Sequence, residues 1–153
     1  MFKKIQAFDI FIQVDDIVLI DFTFKNIRSL KEEVTFSMEV GVIDYTKENT
    51  VSSDDIEVVK SSFILGGNAS GKSNVIRAFQ LLRDIIVYGT SSDLESLPVD
   101  TFANRAGNTY FKIRFIKNGD LYCYELDYDA HSINGERLIM NDNIIFNRTV
   151  DDI

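Results

Sequence analysis

"FILGGNASGKSNVIRAF", residues 63–79, decides how this chain folds, because it sets the most permissive backbone in the sequence directly against the most helical stretch. From Val75 onward, Phe79, Leu82 and Ile86 recur at intervals of three and four with Ala78 and Ile85 beside them, while Arg77, Gln80 and Asp84 occupy the opposite arc. The spacing predicts a helix of roughly 18 residues, ~27 Å long, from near Gly71 to Gly89. Ahead of the glycines, "IEVVKSSFIL" (56–65) is β-branched and apolar and predicts a strand that delivers the chain to the turn. Between strand and helix, residues 66–73 fit G-x-x-x-x-G-K-[ST], the pattern of a phosphate-binding loop.

The residue types follow from the chemistry such a loop performs. A polyphosphate brings several negative charges into a tight turn, so main-chain N–H groups must point inward, and glycine permits dihedrals and close approach that a β-carbon blocks. Gly66, Gly67, Asn68, Ala69, Ser70 and Gly71 are the expected cradle. A helix starting near Gly71 adds about half a positive charge at its N-terminus. Lys72 is the expected catalytic group, a point charge reaching the β and γ phosphates, and Ser73 is the expected Mg²⁺ ligand through its hydroxyl. With glycine at roughly 7% of residues, this pattern arises by chance in fewer than about one chain in a hundred of this length. The bland alternative is a glycine-rich turn with an incidental lysine.

Composition narrows the remaining classes. The chain has 153 residues, 45% of them hydrophobic, enough for one domain with a real core. No apolar run approaches the ~18 residues that cross a bilayer, and the start "MFKKIQAFDIF" does not read as a signal peptide, so a cytoplasmic protein is expected. A single cysteine, Cys123, excludes an intramolecular disulfide and reads as a small buried strand residue; the single histidine, His131, reads as a loop residue. A net charge of −8 without a basic block makes direct nucleic-acid binding a poor expectation.

Along the rest of the chain, "IVLIDFTFKNI" (17–27) alternates through Ile20, Phe22 and Phe24, and "VTFSMEVGVIDY" (34–45) through Val34, Phe36, Met38 and Val40, predicting two antiparallel strands. Residues 46–55 read as a solvated loop and 90–109 as a polar connection holding Pro98, the sole proline. "TYFKIRFI" and "LYCYELDYD" flank Asn118-Gly119, a hairpin signal, and "INGERLIM" and "NIIFNR" suggest one or two further strands. Hydrolysis normally needs an acidic residue at the end of an apolar strand after the loop. The only textual match, "IVLID" ending at Asp21, lies before it and reads as an ordinary strand. A small GTPase is disfavoured, since neither an Asn-Lys-x-Asp element nor a D-x-x-G switch is present.

"FTFKNIRSLKEEVTFSMEV" and "GGNASGKSNVIRAFQLLRDII", in this order and spacing, resemble the N-terminal part of an ABC-type (SMC-like) ATPase head, and more closely the bacterial AAA-type ATP-binding proteins of abortive-infection and other phage-defence systems. The resemblance covers about residues 17–150. It implies an α/β P-loop NTPase fold, the N-terminal lobe of such a head, with antiparallel strands flanking a P-loop strand and one long helix. Residues 1–16 would be an N-terminal extension and 17–153 the lobe, with a C-terminal lobe outside them. It further implies ATP and Mg²⁺ as cofactors, Asn68 and Asn74 at the phosphate and metal end of the loop, and Arg28 near the nucleotide phosphates; Arg28 reads alternatively as a solvated turn residue. Hydrolysis would follow once the lobe is completed and paired head to head with a second copy, with an effector protein as a possible further partner. One departure is that no glutamine follows Gln80, where such heads often use one to bridge metal and water. The competing reading is a truncated nucleotide-binding module that senses ATP or docks to an effector without turnover.

Overall fold

The computed structural model describes residues 17–41, 47–53, 55–89 and 95–149. The expected N-terminal extension, 1–16, lies outside them, as do the last residues of the expected lobe, 150–153. Six strands form one antiparallel sheet in the order β2-β1-β5-β6-β7-β8, with β1 Ile17–Lys25, β2 Val34–Ser37, β5 Thr109–Lys117, β6 Asp120–Tyr128, β7 Ile133–Met140 and β8 Asn143–Thr149. Two short strands, β3 Thr50–Ser53 and β4 Ile56–Val59, make a separate hairpin, and one helix, α1 Lys72–Tyr88, lies against the larger sheet. This is an α/β arrangement with a mainly antiparallel sheet and a single helix.

The apolar stripe read from the sequence is the stripe that packs. Ala78, Leu81, Leu82, Ile85 and Ile86 of α1 are buried among Phe22, Phe24, Phe111, Tyr124, Leu126 and Tyr128 of the sheet, and Phe79 stacks on Phe22 with ring centroids 4.1 Å apart. The helix ends where expected: the Gly89 N–H donates to Ile85 O, and its positive φ turns the chain away. Asn118 and Gly119, with φ of 54° and 86°, close the β5–β6 hairpin as their identities require. The C-terminal sequence supplies two strands, β7 and β8.

Several expectations are corrected. Residues 46–55 were expected as loop, but residues 50–53 form β3: Thr50 and Val51 are β-branched, and Thr50 Oγ1 donates to Glu57 Oε1 of β4 at 2.8 Å. β2 stops at Ser37 because the chain crosses to the hairpin, where Glu39 bridges Val58 and the Val59 N–H donates to Met38 O. Ile20 does not share the face of Phe22 and Phe24. The β1–β5 register slips between Leu19 and Asp21, and this bulge turns Ile20 into a second cluster with Val58 and Ile116. Cys123 is half-buried rather than buried. Its neighbour across the sheet is Arg114, on the charged face, and burial together with the Glu125 carboxylate pushes its thiol pKa up.

The largest correction concerns the strand before the glycines. Among the described residues, 61–66 have no sheet partner, and Phe63 and Leu65 are 87% and 88% exposed. Strand geometry persists only where its N–H and C=O groups pair. Here β4 is already joined to β3, and the open edges of the larger sheet belong to β2 and β8. The connection 95–105 is also less solvated than its composition suggests: Leu97 is buried in the main core, its N–H donates to Ala130 O, and Tyr128 Oη donates to Pro98 O at 2.9 Å.

Phe22 joins sheet and helix at one ring, so Phe22→Ala should lower stability by about 3–5 kcal/mol in urea unfolding. A loss below about 1 kcal/mol would mean that α1 is not held by this face.

Candidate functional site

The site is built where the start of α1 meets the turn that follows β1. That turn is tight: Ile27 and Leu30 exchange main-chain hydrogen bonds at 2.8 Å, and Asn26 and Arg28 both take positive φ, 60° and 50°. Asn26 ties it to two later segments, accepting from the Phe102 N–H at 3.1 Å and donating from Nδ2 to Asn108 O at 3.0 Å. Asn74, in the first turn of α1, donates from Nδ2 to Ser29 Oγ at 2.6 Å. This bond holds the turn against the helix entrance.

Within the loop the backbone alternates in handedness. Ala69 has φ of 62° and Gly71 of 90°, whereas Ser70 between them stays negative and Lys72 begins the helix. Left-handed residues of this kind occur in anion-binding nests; here the Ser70 N–H donates back to Gly67 O at 3.4 Å. Holding a non-glycine residue left-handed costs about 1–2 kcal/mol, so the strain at Ala69 is stored in the loop. No side chain caps the helix N-terminus and no acidic residue lies in its first turn, so its orphan amides and partial positive charge are neither satisfied nor cancelled by the loop's own side chains.

Lys72 folds back over this turn. Its Nζ donates to Gly66 O at 2.7 Å, Gly67 O at 2.5 Å and Ser70 Oγ at 3.3 Å, so its three protons are all directed into the loop. Beside it lies a cleft of about 280 Å³ lined by Ser29 and residues 69–74. Gly66, Gly67, Asn68, Ala69 and Ser70 are exposed, as is Ser73, while Gly71, Lys72 and Asn74 are half-buried. The fold thus brings Ala69, Ser70, Gly71, Lys72, Ser73 and Asn74 to one concave surface, whereas Gly66, Gly67 and Asn68 do not line it, and Gly66 and Gly67 are tied to it through the Lys72 ammonium.

Arg28 stands next to this surface, but Ser29 lines the cleft in its place. The Arg28 Nε donates to Asp100 Oδ2 at 2.9 Å, and Arg77 Nε donates to the same oxygen at 3.1 Å. Ser29, Arg77 and Asp100 were missed in the sequence reading. Ser29 adjoins Arg28 in "KNIRSL" and could have been suspected from that position; nothing local marks Asp100, which meets the others only through the tertiary fold.

Among the described residues, two acidic residues are buried on sheet strands. Asp21 is buried and accepts from both Nε and Nη2 of Arg114, its cross-strand neighbour, and it alternates with Phe22, which packs under α1. Its hydrogen bond raises the Arg114 pKa further, so Asp21 acts as the counter-ion of a strand pair. Glu136 is also buried, accepting from Tyr124 Oη at 2.8 Å and ion-paired with Arg148. Burial and this carboxylate push the Tyr124 phenol well up, so it stays a donor. Neither carboxylate lines the cleft.

A glycine loop closed by its own lysine, at the head of a helix packed on an antiparallel sheet, fits a P-loop-like domain. Residues 61–149, more than half of the chain, match the family model described as an AAA domain, putative AbiEii toxin, of the type IV toxin–antitoxin system, and the chain belongs to this family. The matched span includes the loop, α1 and β5 to β8, whereas β1 to β4 and Arg28 precede it. Membership points to nucleotide binding. No curated protein matches the chain. Among the described residues, no helix is long and apolar enough to cross a membrane.

The glycines separate structural from ligand demands. A β-carbon at Gly67 would meet nothing within 4 Å, whereas Gly71 has φ of 90°. Gly71→Ala should cost about 1 kcal/mol of stability, and Gly67→Ala should leave the unfolding midpoint unchanged. A Gly67→Ala variant that melts like wild type but binds nucleotide at least tenfold more weakly would show that this glycine answers to a ligand. Unchanged nucleotide affinity would remove Gly67 from the cradle.

Proposed function

We propose that this chain binds ATP with Mg²⁺ through residues 66–74 and that it is the N-terminal lobe of an ABC-type, SMC-like ATPase head. The observation that carries this reading is the loop itself: left-handed residues at Ala69 and Gly71, a helix N-terminus without a side-chain cap, and an ammonium poised within 2.7 Å of two loop carbonyls. Gly66, Gly67, Asn68, Ala69, Ser70 and Gly71 present main-chain amides to the phosphates. Lys72 exchanges its loop carbonyls for phosphate oxygens and stabilises charge there, and Asn74 keeps the helix entrance against Ser29.

The donor set suits a metal that arrives with a nucleotide. Among the described residues no three His, Cys, Asp or Glu side chains converge, and the cleft lining offers three hydroxyls, of which Ser29 Oγ accepts from Asn74 and Ser70 Oγ from Lys72, while Ser73 holds the metal position of the motif. Mg²⁺ keeps several waters and takes few protein ligands when phosphates supply the rest. Bound in this way it would neutralise phosphate charge, with Ser73 as its protein ligand.

In this reading 17–153 is the lobe and 1–16 an extension. The exposed apolar run at Phe63, Ile64 and Leu65 supports further strands covering this segment from a C-terminal lobe. ATP is then hydrolysed when that lobe and a head-to-head partner copy supply the acidic and signature groups. The family description, a putative AbiEii toxin of a type IV toxin–antitoxin system, favours a role of the abortive-infection or toxin–antitoxin kind. The further parts of the proposal are a cytoplasmic location, an effector protein as partner and no direct nucleic-acid contact by this chain. One observation favours a second reading, a module that senses ATP without turnover: the cleft lining contains no carboxylate.

Calorimetry with Mg-ATP is the test. Wild type should bind, Lys72→Ala should abolish binding, and Ser73→Ala should bring affinity in Mg²⁺ down toward the value in EDTA. Unchanged binding by Lys72→Ala would overturn the assignment. The isolated chain should show ATPase near background; brisk turnover at low protein concentration would instead reveal a complete catalytic site within it.

A further inference from the structure

Asp100 is engaged twice beside the phosphate cleft, and the fold does not need either engagement to hold it there. Its one oxygen Oδ2 accepts from Arg28 at 2.9 Å and from Arg77 at 3.1 Å. The segment that carries it is already anchored by uncharged bonds. The Arg28 N–H donates to Asp100 O at 2.8 Å, the Phe102 N–H donates to Asn26 Oδ1, Tyr128 Oη donates to Pro98 O, and Leu97 is buried in the core. The two arginine side chains are half exposed, 50% and 40%, and ion pairs of that kind add little to stability.

The carboxylate does act on charge. It gathers two guanidiniums at one oxygen, and one of them belongs to Arg28, whose chain neighbour Ser29 lines the cleft and is bonded to Asn74 of the loop. A guanidinium recognises a carboxylate and a phosphate by the same planar fork of donors. We propose that Asp100 is an internal competitor in nucleotide binding: its carboxylate holds the Arg28 guanidinium and competes with the nucleotide's phosphates for it. The proposal rests on the reading of residues 66–74 as an ATP site and adds to it an internal competitor. Arg77, fixed to the same oxygen from the second turn of α1, keeps Asp100 occupied when Arg28 transfers, so the transfer leaves no bare carboxylate.

A fraction of Arg28 held elsewhere lowers apparent affinity by that fraction. The test is a double-mutant cycle on the full chain, with Mg-ATP as probe in calorimetry. Asp100→Asn should melt within about 3 °C of wild type and bind Mg-ATP about 3- to 10-fold more tightly. The gain should vanish in Arg28→Gln/Asp100→Asn, and Asp100→Glu should return affinity toward wild type. Unchanged or weaker binding by a folded Asp100→Asn overturns the proposal. So does an equal gain in the Arg28→Gln background, which would be a loss of negative charge acting at a distance. A drop in melting temperature above about 10 °C for both Asp100→Asn and Asp100→Ser would make the carboxylate a structural clamp and overturn it as well. Should wild type bind no Mg-ATP, the ATP-site reading falls together with this one; if wild type binds and the cycle fails, only the competitor role is lost.

Discussion

The stack of Phe79 on Phe22, with ring centroids 4.1 Å apart, is the contact on which the rest of the structure depends. Phe22 also stacks on Phe111 across the β1–β5 pair, so the helix is registered against two strands through one aromatic group. Aromatic pairs add about 0.5–1.5 kcal/mol beyond their area, but their larger consequence here is directional. With Ala78 and Leu82 seated beside them, the axis of α1 is fixed, and its N-terminal end comes to lie at the turn that leaves β1. A phosphate loop is a sequence of amides without a rigid partner of its own, and its aim is inherited from the helix it precedes.

The inheritance runs through short polar bonds. Asn74 reaches Ser29, Asn26 reaches Phe102 and Asn108, and the Arg28 main chain reaches Asp100, so three segments far apart in sequence are tied around the helix entrance. Among the described residues, five of the eight non-glycine residues with positive φ lie in these segments or in the loop: Asn26, Arg28, Ala69, Ala103 and Asn104. Left-handed residues shorten a path and reverse it, and they persist where surrounding bonds over-determine them. Their concentration here is what a fold needs to bring three loops to one end of one helix.

Much of this was legible from local pattern, and what was not shares a cause. The stripe through Phe79, Leu82 and Ile86 and the Asn118-Gly119 turn depend on neighbours in sequence, and both appear as read. Ile20 was assigned to the wrong face because a bulge is decided by the register with β5, about ninety residues away. Residues 61–65 have the composition of a strand, yet composition supplies no partner, and pairing decides the outcome. β3 was hidden by the opposite error, since Thr50 and Val51 sit among polar residues but find β4 directly across a turn. At the site, the glycines and Lys72 announced themselves by identity and spacing, while Asp100 became visible only when the fold placed it against Arg28 and Arg77.

The electrostatics of the molecule oppose its proposed ligand at long range and favour it at short range. A chain of net charge −8 repels an anion from afar. Between exposed charges that repulsion is screened within about 8–10 Å at ordinary ionic strength. Lys72 lines the cleft, Arg28 adjoins Ser29 of its lining and shares Asp100 with Arg77, and the helix N-terminus adds partial positive charge without an acidic residue in its first turn. Attraction therefore takes hold only over the last few ångströms, after a ligand has reached the loop. Recognition at such a site is a matter of local fit between phosphate oxygens, amides and cations. In the proposed reading that suits a small, mobile nucleotide better than a nucleic acid, whose extended backbone would also meet the acidic remainder of the surface.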